Sequence, residues 1–98
     1  MNLRISTVAS EEFAQSSFYY LEASPQAAMN FQSEVEEAFT EIAEFPERYP
    51  ANPDGNRVKV LNVFPFSIHY RVKPPEVEIL SVAHHSRLPG YWQHHFEE

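Results

Sequence analysis

The chain contains no cysteine. Disulfides, a thiolate nucleophile and cysteine-ligated metal are all excluded. No run of 18 apolar residues occurs, so no membrane-spanning helix is expected, and no early basic stretch leads into an apolar one as a signal peptide would. A cytoplasmic protein with no membrane partner is the expectation. Basic residues are scarce as well: seven Lys and Arg stand against fourteen Asp and Glu, for a net charge of −7. Polyanion binding draws on many Lys and Arg contacts, so direct DNA binding is not expected. What remains is a 43% hydrophobic chain with eight Phe, five Tyr and one Trp. Its 98 residues suffice for one compact domain, residues 1–98, built on a single core.

The charge is uneven. Residues 1–50 hold Arg4 and Arg48 against nine Glu, a balance of −7, whereas residues 51–98 hold five basic and five acidic residues. All five histidines, His69, His84, His85, His94 and His95, lie in the second half. Such asymmetry points to two surfaces with different partners, or to a Glu-rich helical face that is simply solvated.

Met1 to Ser6 alternates weakly and reads as a short first strand. From about Val8 to Ala23 neither Gly nor Pro occurs, and Ala14, Phe18 and Leu21 share one face that Phe13 and Tyr20 widen, which predicts an amphipathic helix. Ser24-Pro25 then marks a second helix start: serine caps free N–H groups and proline fits the first helical position. Ala28, Phe31, Val35, Ala38, Ile42 and Phe45 follow at spacings of 3, 4, 3, 4 and 3, with Phe39 on the same face and most of the glutamates outside it. Pro46 ends this helix, and the short junction predicts an antiparallel helix pair.

Residues 46–56 are turn chemistry. Three strands are then predicted. Arg57 to Val63 is valine-rich. Phe66 to Lys73 alternates strictly, with Ser67, His69, Arg71 and Lys73 on one side. Val77 to Ala83 is nearly all apolar, as a central strand would be. A hairpin between the last two pairs Lys73 with Glu76 and Arg71 with Glu78, two opposite-charge pairs, and sets Val72 beside Val77 and Tyr70 beside Ile79. Adjacent prolines at 74 and 75 argue for a connection wider than two residues. The expected fold is α+β: a strand, an antiparallel helix pair and a three-stranded antiparallel meander, with the helices on one sheet face and the first strand at a sheet edge.

This order, with its local motifs, resembles the RelE/ParE superfamily of small bacterial toxins, also called plasmid stabilisation proteins. Ser24-Pro25 with Ala28 and Phe31 is similar to the family's second-helix start, and Ile42 with Phe45-Pro46 and Tyr49-Pro50 to its end. Arg57, Phe64-Pro65-Phe66, Ile68 and Tyr70-Arg71-Val72 resemble the middle strands. Ile79 to His84, then Arg87 and Pro89-Gly90-Tyr91-Trp92, resemble the family's ending. The resemblance covers nearly the whole chain. It implies the toxin of a type II toxin–antitoxin module, which inhibits growth and is neutralised by a cognate antitoxin. Relatives poison DNA gyrase or cleave messenger RNA on the ribosome, and a non-toxic remnant kept as a binding partner is a third reading.

For an RNase, the resemblance assigns catalysis to His85, Arg87 and Tyr91, with arginine facing the phosphate and Tyr or His moving protons. Asn62 and His85 stand where RNA-cleaving relatives tend to place basic residues, and few cations are present, so a protein target such as gyrase suits this chain better than RNA. Arg57, Arg71, His84 and Trp92 are the expected target-binding residues. Phe13, Tyr19 and Tyr20 are expected to receive the antitoxin, in an apolar groove between the helix pair and the sheet edge. No cofactor is implied. Adjacent histidines on a strand point to opposite faces, so His84-His85 does not suggest a metal site.

Overall fold

The computed structural model describes residues 1–86. Strand β1 (Asn2–Ile5) is followed by helices α1 (Thr7–Ala23) and α2 (Pro25–Glu44), then strands β2 (Arg57–Val60), β3 (Phe66–Lys73) and β4 (Glu76–His84). The strands form one mixed sheet in the order β1-β4-β3-β2, in which β1 runs parallel to β4 and the other pairs are antiparallel. The element order, the meander and the edge position of β1 are as the sequence predicts.

Each helix starts on a serine. Ser6 Oγ accepts from the Ala9 N–H at 3.0 Å and donates to the Leu80 carbonyl at 3.0 Å, fastening α1 to β4. Ser24 Oγ accepts from the Ala27 N–H at 2.9 Å, and Pro25 opens α2 where its missing N–H costs nothing. Ring contacts set the helix pairing: Phe13 meets Phe39 and Phe31 (centroids 6.1 and 5.8 Å apart), and Tyr20 meets Phe31 (5.1 Å), so α1 and α2 run antiparallel.

The core lies between the helices and one sheet face. Phe31, Val35, Ala38, Phe39 and Ile42 of α2 pack with Phe66, Ile68, Tyr70, Val77, Ile79 and Val82. Phe45 departs from the predicted stripe: it caps α2, is half exposed, and carries the Arg48 guanidinium 4.4 Å above its ring. The α1 stripe departs further. Phe13 and Tyr20 reach the core, whereas Ala14, Phe18 and Leu21 are exposed.

The β3–β4 register pairs Lys73 with Glu76, Val72 with Val77, Arg71 with Glu78 and Tyr70 with Ile79, as the cross-strand charges predict. The connection is tighter than expected: Lys73 pairs with Glu76, so Pro74 and Pro75, joined by a cis bond, are the whole of it. Beyond Tyr70 the register shifts, so that His69 faces Ser81 and Leu80 is the extra residue of a bulge. Glu12, buried on α1, serves the disturbed strand: its Oε1 accepts from Ser81 Oγ at 2.8 Å and from the Val82 N–H at 3.0 Å.

Strand β2 ends at Val60 rather than Val63. The following amides turn away from the ladder to α2, where the Glu34 carboxylate accepts from the N–H groups of Asn62, Val63 and Phe64 at 3.1–3.2 Å. Glu34 is therefore a structural anion rather than part of a solvated face.

Candidate functional site

The sheet face turned away from the helices carries Ser67, His69, Arg71 and Lys73, each half buried or exposed. Arg71 is tied to Glu78 across the strands (Nη2 to Oε1, 2.6 Å), and Arg4 lies 4.0 Å from Glu76. Burial holds the His69 imidazole below its ordinary value, partly offset by the Asp54 carboxylate, so this ring is neutral at pH 7. At the end of β4 the two histidines part. His84 pairs with Phe66, with the rings edge-to-face at 5.0 Å, and its Nδ1 accepts from the Ser86 N–H at 3.0 Å, leaving the neutral ring's proton on Nε2. His85 is exposed, with Nε2 2.9 Å from Ser67 Oγ. Arg87, Tyr91 and Trp92 lie outside the described residues.

Arg57 is not with Arg71. The β2–β3 register places it beside Tyr70 on the helix side, where Nη1 donates to the Tyr49 carbonyl and, at 3.5 Å, to that of Glu47. Close by, Glu41 receives the Tyr49 hydroxyl at 2.6 Å and Arg48 at 3.1 Å, with the Lys59 ammonium at 3.8 Å. The tyrosine hydrogen bond lowers the Glu41 pKa, and Lys59 and Arg48 add to this against a smaller burial effect. The charge pattern of the sequence does not reveal this cluster, because its members are brought together only by the 46–56 turn.

Arg4, Arg48, Arg57, Lys59 and Arg71 all have acidic or carbonyl partners; among the described basic residues only Lys73 has none. No three His, Asp or Glu side chains among the described residues converge as a metal site would require, and no described helix is long and apolar enough to cross a membrane.

A further concavity lies on the helix side of the molecule. It is a groove of about 620 Å³ along α1 and α2, with Ile5 of β1 at its edge. Phe13, Phe18, Leu21, Ala28 and Met29 line it, and Glu36 and Gln32 stand in its α2 wall. Phe18 is 66% exposed and Met29 60%, a contiguous apolar surface that the described residues leave uncovered. Of the expected antitoxin contacts, Phe13 lines this groove. Tyr20 instead joins the aromatic cluster, its ring 4.9 Å from Phe64, and burial raises its pKa. Tyr19 is 70% exposed and packs edge-to-face on Tyr20 outside the groove lining. The sequence sets Phe18 and Leu21 on one apolar face of α1 with Ala14, widened by Phe13 and Tyr20, and a helical period alone does not separate a stripe that is covered from one that is not.

Residues 3–89 match the family model described as the ParE toxin of the type II toxin–antitoxin system parDE. A search of curated proteins returns no match. Seven chains of solved structures match. One, from the chromosomal ParDE toxin–antitoxin system of P. aeruginosa, is 23% identical and superposes with a TM-score of 0.75, covering 86% of this chain and 95% of the other. At that identity the likeness is one of fold.

Proposed function

The chain belongs to the ParE toxin family of type II toxin–antitoxin systems, and from that premise we propose that it arrests bacterial growth in the cytoplasm and is neutralised by a cognate antitoxin seated in the α1–α2 groove. The exposed apolar groove carries this reading: Phe18, Leu21 and Met29 form a ready-made seat for an apolar partner surface, and no described residue fills it.

The target we propose is a protein, with DNA gyrase the candidate that the family suggests. The cation census supports this. A nucleic-acid surface needs several uncommitted Lys and Arg side chains, and here five of the six described ones are engaged within the fold. Protein recognition needs shape and a few anchors instead. A ribosome-dependent endoribonuclease is the second reading. The Ser67–His85 hydrogen bond favours it by holding one imidazole at the corner of the open sheet face, where Arg87 and Tyr91 would have to join it.

The test is growth after tightly controlled expression, alone and with the product of the neighbouring reading frame. Arrest that the second protein relieves, with DNA-damage induction and intact messenger RNA, supports the toxin and its protein target. Cleaved messenger RNA, lost on Arg87→Ala, selects the endoribonuclease. A folded protein that arrests nothing yet binds its neighbour is a remnant of the fold.

A further inference from the structure

Between Thr7 and Glu44 the helix layer holds eight glutamates and no Lys, Arg or His. Three glutamates are committed inside the fold: Glu12 at the β4 bulge, Glu34 at the amides of residues 62–64, and Glu41 with Tyr49, Arg48 and Lys59. The other five, Glu11, Glu22, Glu36, Glu37 and Glu44, are exposed, and no ion pair among the described residues reaches them. One of them, Glu36, lines the groove wall, and Glu22 is the exposed residue next in sequence to Leu21 of the lining.

The groove walls also restrict the partner's backbone. Most N–H and C=O groups of α1 and α2 are consumed inside the helices, so an extended segment lying between them finds no ladder to join and leaves its own amides unpaired. A helix satisfies its backbone internally and presents only side chains, at i, i+3, i+4 and i+7.

We infer that the groove takes a cationic amphipathic helix, whose apolar side chains enter between Phe18, Leu21 and Met29 and whose flanking Lys or Arg residues meet Glu22 and Glu36. The inference rests on reading the groove as the antitoxin's seat and adds the chemistry of the segment that fills it. The sign of the charge follows from the rim: an acidic segment would meet uncompensated like charge along both helices, whereas a basic one neutralises it.

Two synthetic amphipathic helices with the same leucine face, one flanked by lysines and one by glutamates, provide the probe. Their affinities for the purified protein are measured by fluorescence anisotropy at low and high salt. The lysine peptide should bind about tenfold more tightly, with an advantage that shrinks as salt screens the rim. Glu22→Lys/Glu36→Lys should reverse the preference, and Phe18→Ser/Met29→Asp should weaken both peptides. All four side chains are exposed, so these variants keep the core intact. Equal affinities, a preference for the glutamate peptide, or binding of neither overturns the inference. So does a two-chain mass in sedimentation that Phe18→Ser reduces to one, because the groove would then be covered by a second copy. Growth arrest is scored separately: loss of the toxin reading with the peptide preference intact, or the reverse, shows which of the two has failed.

Discussion

Val63 presents its backbone N–H to both carboxylate oxygens of Glu34, at 3.2 and 3.1 Å, although 29 residues separate them in sequence. With the Asn62 and Phe64 amides beside it, one side chain of α2 satisfies three consecutive donors of the β2–β3 connection. Successive amides converging on one anion make a strong local dipole, and the carboxylate supplies the charge that it favours.

Glu34→Ala should therefore lower stability by about 1–3 kcal/mol, the range for leaving such donors to imperfect hydration. Glu34→Gln, which retains one acceptor oxygen, should fall between. Urea denaturation gives the magnitude and amide exchange gives the location. Unchanged protection at residues 62–64 in Glu34→Ala would contradict this account of the loop.

The Tyr49 hydroxyl is the largest of the influences that lower the Glu41 pKa. Removing it in Tyr49→Phe should raise that pKa toward the ordinary 4.5, as read by carboxyl NMR titration. The folded value lies below the unfolded one, so the stabilisation is complete above about pH 4.5 and is lost as pH falls through the folded pKa. Tyr49→Phe should flatten this acid limb. An unaltered limb would mean that Lys59 and Arg48 carry the effect.

His69 adds a limb at higher pH. Its folded pKa is depressed below 6.5 by burial, so the unfolded chain takes up the proton first. Stability should fall as pH drops from about 6.5 toward the folded value and receive nothing further from this group below it. His69→Gln should remove that component, visible as a smaller difference between urea midpoints measured on either side of pH 6.5. An identical difference in wild type and variant would rule out this residue as the source.

Two phenylalanines of the helix layer should behave in opposite ways. Phe31 is fully buried among Phe13, Tyr20, Phe64 and Phe66, and Phe31→Ala should cost about 3–5 kcal/mol. Phe18 is 66% exposed, and Phe18→Ser should change stability by only about 0.5 kcal/mol while abolishing relief of growth arrest by the partner protein. A large thermal destabilisation from Phe18→Ser would place this ring in the core and remove the groove.

Much of the architecture is legible in the sequence because local rules agree there. The 3, 4, 3, 4, 3 spacing from Ala28 to Phe45 predicts the buried face of α2, with Phe45 alone released at the cap. Opposite charges at Arg71 and Glu78 and at Lys73 and Glu76 set a register that the sheet adopts. Long-range roles are harder to read. Glu12 and Glu34 look like solvated helix residues until β4 and the β2–β3 loop come to lie against them. Arg57 reads from sequence as a target contact or as the partner of a carboxylate; its hydrogen bond to the Tyr49 carbonyl depends on the path of the intervening turn. The sequence leads one to expect a groove between the helix pair and the sheet edge, whereas this one runs along α1 and α2 and takes only Phe13 of the expected residues; nothing local tells Phe18 from Tyr20, and what separates them is which ring finds Phe31 and Phe64.

Strand β1 has β4 as its sole sheet neighbour among the described residues, with Asn2 set beside Glu76 and Ile5 beside Ile79. β1 thus waits for β4, which follows every other described element in the chain, before it has anything to pair with. Ser6, which caps α1, likewise waits for the Leu80 carbonyl. A growing chain that stalls before β4 is left with two amphipathic helices and no closed sheet, a species open to proteolysis. Chain order therefore makes β4 the element that closes the sheet: until it is made, neither the ladder of β1 nor the second contact of Ser6 exists.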